Sequence, residues 1–332
     1  MRRTGVRELV QYKINLLLRT TRTTEFRRQQ ILELKDRLTT GLSSCFQQDN
    51  LEVLLFGSYR TGLSDKGSDA DFSLVNSDGS AITVSVDELA KALRQLGFVN
   101  VKAVSTARVP IATFDDPITV VACDMSLNQR HGALNSRLID TYRRIDDRFM
   151  PLWFAIRHMA RKNGILSGKQ RYLTSYALVM MVIAFLQTRP QPILPKLQCQ
   201  LYMQEAVVDG WDYSFDSHPS NHAGFGTANT ETCAALLKKF YQYFGYDFQY
   251  GVWEVNPRAG VIRTTRGVSV ATSLFERKKL ACAQMCIMDP FIRNRNVTSR
   301  ITKKNVGQIK DAFKKANGAF TKGNLGAAYL TL

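Results

Sequence analysis

The sequence predicts an α/β domain followed by a mainly helical domain. Short segments rich in β-branched residues lie in the first part of the chain, and segments with helical periodicity dominate after about residue 145. A chain of 332 residues with 45% hydrophobic residues is long enough for two folded domains and excludes a disordered protein. We place the first domain at 31–145 and the second at 146–332, with an N-terminal helix within 1–30 joining the second.

The first domain is expected to contain a mixed sheet. Ile31, Leu34, Leu38 and Leu42 recur at helical spacing and predict an amphipathic helix that opens the domain. Ser85 and Glu88 have the spacing of a capping box, which predicts a second helix to about Gln95. Five apolar segments predict strands: Val53–Phe56, Asp71–Val75, Val99–Val104, Val109–Phe114 and Ile118–Met125.

The second domain is expected to be helical, with one hairpin. Helices are predicted at 151–164, 174–188, 231–246 and 303–318, and the hairpin at Val252–Val255 and Val261–Thr264. The richest apolar run, Tyr176–Leu186, is far shorter than the roughly 20 residues of a membrane-spanning helix. We interpret it as a buried core helix and expect no membrane partner.

Basic charge is concentrated at the two ends of the chain. The formal net charge is +17; residues 1–44 hold ten basic and four acidic residues, and residues 292–332 hold nine basic and one acidic. This balance suits a polyanion such as RNA or DNA, although a solvated basic surface explains it equally well. Residues 45–150 hold 11 basic and 14 acidic residues, and this acidic excess suggests a metal site.

The cysteines and the N-terminal segment bear on the cellular compartment of the protein. The six cysteines are dispersed without paired ligand spacing, which argues against zinc and favours reduced thiols. The first 28 residues contain seven arginines and one lysine, as in a mitochondrial presequence. Mitochondrial localisation is therefore our expectation, with a basic helix of the folded protein as the alternative.

The stretch from Phe56 to Val75 carries the sharpest chemical pattern. Gly57 and Ser58 follow a predicted strand and open a helix, a geometry that directs backbone N–H groups at a phosphate. Asp69 and Asp71 lie two residues apart on a strand and project from one face. Asp124 lies in the predicted strand Ile118–Met125, where we expect it to be buried and to be the third carboxylate of a metal site. Carboxylates with phosphate oxygens are ligands that Mg²⁺ prefers.

This pattern resembles the nucleotidyltransferases of the DNA polymerase β superfamily, in the branch of terminal uridylyltransferases and poly(A) polymerases. The resemblance runs from about Phe56 to Val297, and within this branch the sequence resembles the small mitochondrial uridylyltransferases of trypanosomatids. It implies a polymerase-β-like palm, a second helical domain and an active-site cleft between them. It also implies that the three aspartates are catalytic and bind two Mg²⁺ ions, for which Mn²⁺ substitutes, while the Gly-Ser turn binds the nucleotide.

Further motifs of that family follow in the same order. HGALNSRL, FAIRHMARKNG, TSY and DPF resemble its nucleotide-binding segments. The resemblance assigns contacts with the ribose and base to Asn135 and Ser136, and contacts with the phosphates to Arg157, Arg161 and Ser175. It assigns stacking on the base to Tyr176 and recognition of the base edge to Asp289. The two arginines stand where the family has lysines, and the alternative for them is a pair of solvated side chains on an exposed helix face.

One departure bears on the choice of nucleotide. The family's base-reading glutamate is replaced by Ile292, which cannot accept a hydrogen bond from uracil N3, and a position that carries histidine in some members is Arg295. The resemblance implies transfer of UMP from UTP to the 3′ end of single-stranded RNA, in mitochondrial RNA processing or editing, with protein partners selecting the RNA. The alternatives are a poly(A) polymerase using ATP, an inactive RNA-binding scaffold, and an enzyme that adenylylates a small molecule.

Overall fold

The computed structural model describes residues 2–107, 109–199, 207–262 and 282–321. The chain divides into two compact units. The palm unit is Thr21–Asp140, and the helical unit combines Met1–Thr20 with Thr141–Leu332. Within the described residues, none of the helices combines the length and apolarity needed to cross a bilayer.

The palm unit contains a five-stranded sheet and the helices around it. Its strands are β1 Leu51–Phe56, β2 Ala70–Asn76, β3 Val99–Val104, β4 Ile111–Asp116 and β5 Val121–Leu127. Its helices are α2 Glu25–Phe46, the short α3 Gly57–Thr61 and α4 Val86–Gln95. Helix α5, Arg130–Ile145, belongs to the palm unit up to Asp140 and to the helical unit after it. Helix α1, Arg2–Thr21, precedes them and lies in the helical unit up to Thr20.

The sheet order is β1-β2-β5-β4-β3. Only β2 and β5 run parallel, and the other neighbours are antiparallel, so the predicted mixed sheet is confirmed. The connection from β2 to β5 passes through α4, β3 and β4, which places two strands that are distant in sequence side by side at the centre of the sheet. Polar side chains on these two strands are therefore brought together by topology.

The core of the palm unit follows from the predicted periodicities. Ile31, Leu34, Leu38 and Leu42 of α2 are completely buried, together with Val53 and the apolar side chains of the central strands. The predicted capping box is present at α4, where Ser85 Oγ accepts from the Glu88 N–H and the Glu88 carboxylate accepts from the Ser85 N–H. Burial of one face of α2 and α4 against the sheet stabilises this unit.

The helical unit is built on helices of different length. Its elements after α5 are α6 Phe149–Lys162, α7 Ser175–Gln187, α8 Cys233–Gln242 and α9 Lys303–Thr321, with short strands β6 Val207–Val208, β7 Trp211–Asp212, β8 Glu254–Asn256, β9 Gly260–Ile262 and β10 Cys286–Ile287. The apolar helix α7 is the buried core helix that its composition predicted, because every residue from Ala177 to Gln187 is buried.

Several boundaries differ from the sequence predictions; for example, β5 begins at Val121 instead of Ile118. Helix α6 begins at Phe149, so Pro151 is its third residue instead of its first, a position where the missing N–H is still tolerated. Helix α8 ends at Gln242 and passes into a wider turn at Tyr243–Asp247. The predicted hairpin forms between β8 and β9, while Arg263 and Thr264 lie outside the described residues.

Candidate active site

The turn between β1 and α3 brings backbone close to a carboxylate. Gly57 has a φ of 70°, a left-handed conformation that favours glycine. A Cβ atom added at this position would collide with the Asp71 carboxylate. Glycine is therefore required at position 57 both by the backbone conformation and by the approach of Asp71. The next residue, Ser58, is partly exposed, and no described residue hydrogen-bonds its hydroxyl group.

Ser136 fixes this turn from helix α5. The Gly57 N–H donates to Ser136 Oγ at 2.9 Å, and the Ser136 hydroxyl donates to the carbonyl oxygen of Gly132 at 2.7 Å. The side chain is buried. Sequence reasoning assigned Ser136 to the nucleotide and missed this positioning role, because the contact joins residues 79 positions apart. Its neighbour Asn135 has a buried Oδ1 with no hydrogen-bond donor among the described residues.

The central strands place two carboxylates opposite each other. In the parallel pairing of β2 and β5, Asp71 lies in register with Asp124. Asp69 comes just before β2, on the face that Asp71 occupies, and is exposed. Asp124 was expected to be buried, but it is only partly buried, while its strand neighbours Cys123 and Met125 fill the core. All three predicted acids thus lie at one end of the central strand pair.

The electrostatics of this carboxylate group are unfavourable in the absence of a cation. Burial, with added repulsion from Asp124 and Asp69, raises the pKa of Asp71 to about 7. No described residue donates a hydrogen bond to Asp71. A carboxylate that is partly buried, repelled by like charges and without a donor suits a bound cation.

The donor set fits Mg²⁺ or Mn²⁺, since carboxylate oxygen is the preferred ligand of both ions. In the described part of the chain, no three carboxylate, imidazole or thiolate groups already surround one point as a complete site. Asp71 and Asp124 are paired by the sheet, whereas Asp69 stands on the exposed segment that leads into β2. Strand pairing therefore fixes the backbone positions of Asp71 and Asp124, whereas the position of Asp69 is not fixed by the sheet.

The helical unit carries the two predicted phosphate-binding arginines on α6. Arg157 is buried and Arg161 is exposed, although the two are one helical turn apart. Both have interaction partners within the protein. The alternative of two solvated side chains is therefore wrong for Arg157, which was not apparent from the helical spacing alone.

The Thr-Ser-Tyr segment forms the start of α7. Thr174 caps the helix, because its Oγ1 accepts from the Ala177 N–H at 3.1 Å. Ser175 is exposed at the first position of the helix, where a hydroxyl and backbone N–H groups suit an anion. Tyr176 is partly exposed, and its hydroxyl donates to Asp289 Oδ2 at 3.3 Å. Burial, followed by the nearby Asp289 charge, raises the pKa of Tyr176.

Asp289 is the centre of a hydrogen-bonded group. Its side chain is fully buried; Oδ1 accepts from the N–H groups of Phe291 and Ile292, each at 3.0 Å, and Oδ2 accepts from Tyr176. Arg295 Nη1 lies 3.8 Å from Oδ2 and its side chain is half exposed. The carboxylate predicted to read the base is thus largely engaged within the protein. Arg295 presents a polar group to solvent beside this carboxylate.

A palm of this topology, with paired aspartates opposite a Gly-Ser turn, defines a nucleotidyltransferase of the polymerase β type. Residues 10–144 match the family model described as the central palm domain of mitochondrial-like poly(A) RNA polymerase. A solved structure of Cid1 with the UTP analogue UMPNPP superposes on this chain with a TM-score of 0.80 and 22% sequence identity. The superposition covers 94% of this chain and 93% of the Cid1 chain. The predicted fold class is confirmed.

Named relatives narrow the class. The chain is 32% identical over 282 residues to poly(A) RNA polymerase cid13 of Schizosaccharomyces pombe, covering 84% of this chain and 47% of that protein. It is 28% identical over 304 residues to human terminal uridylyltransferase 7, covering 87% of this chain and 20% of that protein. The palm of this chain therefore matches that of the poly(A) RNA polymerases, and the chain is similar to both poly(A) RNA polymerases and terminal uridylyltransferases. It spans about half the length of cid13.

Proposed function

We propose that this protein adds nucleotides to the 3′ end of single-stranded RNA without a template, with UTP as the preferred donor. The observation that carries the proposal is the pairing of Asp71 with Asp124 opposite the Gly57 turn, which forms an electrostatically strained carboxylate group. Sequence similarity supports the reaction class, since relatives carry the names poly(A) RNA polymerase and terminal uridylyltransferase.

In this reaction the acceptor 3′-oxygen forms a bond to the α-phosphorus, the bond to the β-phosphate oxygen breaks, and pyrophosphate leaves. Divalent ions, when bound, supply charge neutralisation and activation of the acceptor hydroxyl. Asp69, Asp71 and Asp124 would hold these ions, and Asp124 is our candidate to receive the hydroxyl proton. Ser58 and the turn at Gly57 would bind phosphate oxygens through a hydroxyl and backbone N–H groups.

The helical unit would recognise the rest of the nucleotide. Arg157, Arg161 and Ser175 would contact the β- and γ-phosphates, because guanidinium groups bind phosphate in a bidentate manner. Tyr176 would stack on the base, and its hydrogen bond to Asp289 would fix the ring. Asn135, whose buried Oδ1 lacks a donor among the described residues, is a candidate for the ribose hydroxyls.

The choice between UTP and ATP depends on the segment from Asp289 to Arg295. Arg295 carries only donors, which suit the O2 and O4 acceptors of uracil, whereas the uracil N3–H finds no acceptor at Ile292. ATP is the second candidate, for two reasons. Asp289 is already engaged by Phe291, Ile292 and Tyr176, and adenine N1, N3 and N7 also accept from arginine. Similarity to cid13, a poly(A) RNA polymerase, favours ATP as well.

An extension assay tests the reaction and the base choice together. A labelled single-stranded RNA is incubated with each of the four nucleoside triphosphates separately, with Mg²⁺. The proteins are the wild type, Asp124→Ala and the matched control Asp87→Ala, which alters an exposed aspartate on α4. We expect addition of uridylate by the wild type and the control only.

Three other outcomes would change the proposal. Addition mainly of adenylate would keep the reaction and replace the donor. RNA binding by the wild type and Asp124→Ala without any addition would favour the non-catalytic scaffold. Transfer of adenylate to a small molecule and none to RNA would favour the third alternative.

We further propose a mitochondrial role in RNA processing or editing, with protein partners that select the RNA. The description of the palm family as mitochondrial-like supports this location. The arginine-rich N-terminal segment does not add to this support, because it forms helix α1 of the helical unit. A fluorescent fusion of the full-length protein tests it. Co-localisation with a mitochondrial marker is expected, and purely cytoplasmic or nuclear signal would overturn it.

A further inference from the structure

Two segments of the helical unit contain basic residues and no carboxylate. Residues 148–204 include eight lysines and arginines without an aspartate or glutamate, and residues 290–310 include six, again without an acidic residue. Such stretches are long for a chain in which 22% of residues are charged. They matter only if the fold brings their cations to one place on the surface.

The start of α9 is tied to the loop between α6 and α7. Asn305 Nδ2 donates to the carbonyl oxygens of Gln170 and Arg171 at 3.0 and 2.9 Å. The Tyr172 hydroxyl donates to Gln308 Oε1 at 2.6 Å. These bonds join residues about 135 positions apart, so the loop and the first turns of α9 form one continuous surface.

The loop itself is held in a defined conformation. Arg171 has a φ of 60°, a left-handed conformation that residues other than glycine seldom adopt. Its N–H donates to the Gly168 carbonyl, and the Tyr172 N–H donates to the Ser167 carbonyl. Together with the two hydrogen bonds from Asn305, these contacts fix the backbone conformation of the loop.

The cations on this surface are exposed. Lys169 and Arg171 of the loop and Lys303 and Lys304 of α9 are all exposed. None of the four forms an ion pair with a carboxylate in the described part of the chain. We call these four residues the basic loop surface. Unpaired cations gathered on a fixed surface are typical of a site for phosphates, because binding releases condensed counterions from the polyanion.

We propose that the basic loop surface binds the phosphate backbone of the RNA acceptor. The proposal rests on the proposed function and identifies where its RNA is held. The loop runs directly into Thr174 and Ser175, the start of the segment predicted to contact the nucleotide, so the surface and that segment are continuous. A single strand of RNA supplies a row of phosphates there, and its contacts with lysine and arginine carry no preference for sequence.

A triple variant and a matched control test this surface. Arg171→Gln, Lys303→Gln and Lys304→Gln remove three charges from it. Lys91→Gln, Lys102→Gln and Lys315→Gln remove three exposed lysines elsewhere, the last of them on the same helix α9. Binding of a 5′-labelled 15-nucleotide single-stranded RNA, without nucleotide, is measured by anisotropy at several salt concentrations. Thermal melting of both triple variants confirms that they fold.

We expect the surface variant to lose roughly tenfold or more in affinity, and the slope of log affinity against log salt to become shallower by about 2, or 0.7 for each lost contact. The control triple variant should keep the wild-type slope. Equal affinities and slopes for the two triple variants would overturn the proposal and leave an acidic protein segment as the alternative partner.

Asn305→Ala is a second variant that keeps every charge and removes only the bonds to the loop. It should weaken RNA binding with little change in slope, and wild-type affinity for this variant would contradict the role of the fixed loop. If the wild type adds no nucleotide to any RNA but the surface variant still loses affinity, the proposed function fails while the RNA surface stands.

In extension reactions, the surface variant should raise the KM for the 15-nucleotide RNA with kcat unchanged. It should extend a trinucleotide acceptor as the wild type does, since the shorter acceptor reaches fewer of these cations. A fall in kcat on both acceptors would assign the residues to the catalytic machinery and overturn the backbone-binding proposal.

Discussion

Asp71 in the palm unit and Asp289 in the helical unit are both conspicuous aspartates, and their surroundings are opposite. Asp71 receives no hydrogen bond from the described residues and is repelled by two other carboxylates. Asp289 is fully buried, accepts three hydrogen bonds and has Arg295 beside it. An unsatisfied carboxylate such as Asp71 suits a cation brought from solution, whereas a satisfied carboxylate such as Asp289 organises the protein around it.

The largest effect is expected from neutralising the unsatisfied member of this pair. Asp71→Asn keeps the side-chain shape but removes a charge that would hold the divalent ions. Nucleotide addition to RNA should fall by about a thousandfold. Single-turnover extension measures this, with Asp87→Asn as the control for an exposed aspartate. Loss of less than tenfold would mean that Asp71 is not part of the catalytic centre.

Removing the satisfied carboxylate should instead damage the fold of the helical unit. Asp289→Ala leaves the N–H groups of Phe291 and Ile292 and the hydroxyl of Tyr176 without their acceptor. The free energy of unfolding should fall by about 3 kcal/mol, since each hydrogen bond to a charged group contributes about 1.5–3 kcal/mol and the losses overlap. Urea denaturation monitored by circular dichroism measures this change. An unchanged midpoint would contradict the structural role of Asp289.

In the absence of divalent ions, Asp71→Asn should stabilise the palm unit. The pKa of Asp71 is raised to about 7, so the folded protein keeps a proton that the unfolded chain loses near pH 4. The free energy of unfolding of the wild type therefore falls as pH rises from about 4 to 7, relative to the variant. Above pH 7 the variant should be more stable by up to about 4 kcal/mol, since each unit of pKa shift corresponds to about 1.4 kcal/mol.

Melting in chelator at pH 4.5 and pH 8 tests this sign. A variant less stable than the wild type at pH 8 would show that Asp71 is stabilised in the folded protein by interactions other than those described. The contrast between an unsatisfied Asp71 and a satisfied Asp289 would then not hold.

A smaller effect is expected at the hydroxyl that positions the Gly-Ser turn. Ser136→Ala removes the acceptor of the Gly57 N–H and should destabilise the protein by about 1 kcal/mol. Because the turn then loses its anchor, nucleotide addition should fall by about tenfold. Ser136→Thr keeps the hydroxyl and should restore activity in the extension assay. Failure of threonine to restore it, with an unchanged melting temperature, would favour direct contact of Ser136 with the nucleotide.

The sequence was most informative where chemistry follows local periodicity. The strand-turn pattern at Gly57 and the two-residue spacing of Asp69 and Asp71 predicted the palm face, and the apolar run at Tyr176–Leu186 predicted a buried helix. Its position as a lone charge in an apolar segment marked Asp124 as a candidate. Its register opposite Asp71 depends on a crossover through α4, β3 and β4, which no local pattern specifies.

Contacts between distant segments account for what the sequence could not predict. The hydroxyl of Ser136 is used on Gly57, and the carboxylate of Asp289 is used on its own turn and on Tyr176, 113 positions away. The burial of Arg157 depends on which neighbours surround α6. In each case the partner of the side chain is decided by packing between segments that are distant in the sequence.

Binding of Mn²⁺ tests most directly the claim that the palm carboxylates are reserved for a cation. Electron paramagnetic resonance of free Mn²⁺ counts the bound ions for the wild type, Asp71→Asn and Asp289→Asn at pH 7.5, each with and without UTP. We expect the wild type and Asp289→Asn to bind Mn²⁺, more strongly with UTP, and Asp71→Asn to lose this binding. Equal binding by Asp71→Asn and the wild type would contradict this claim.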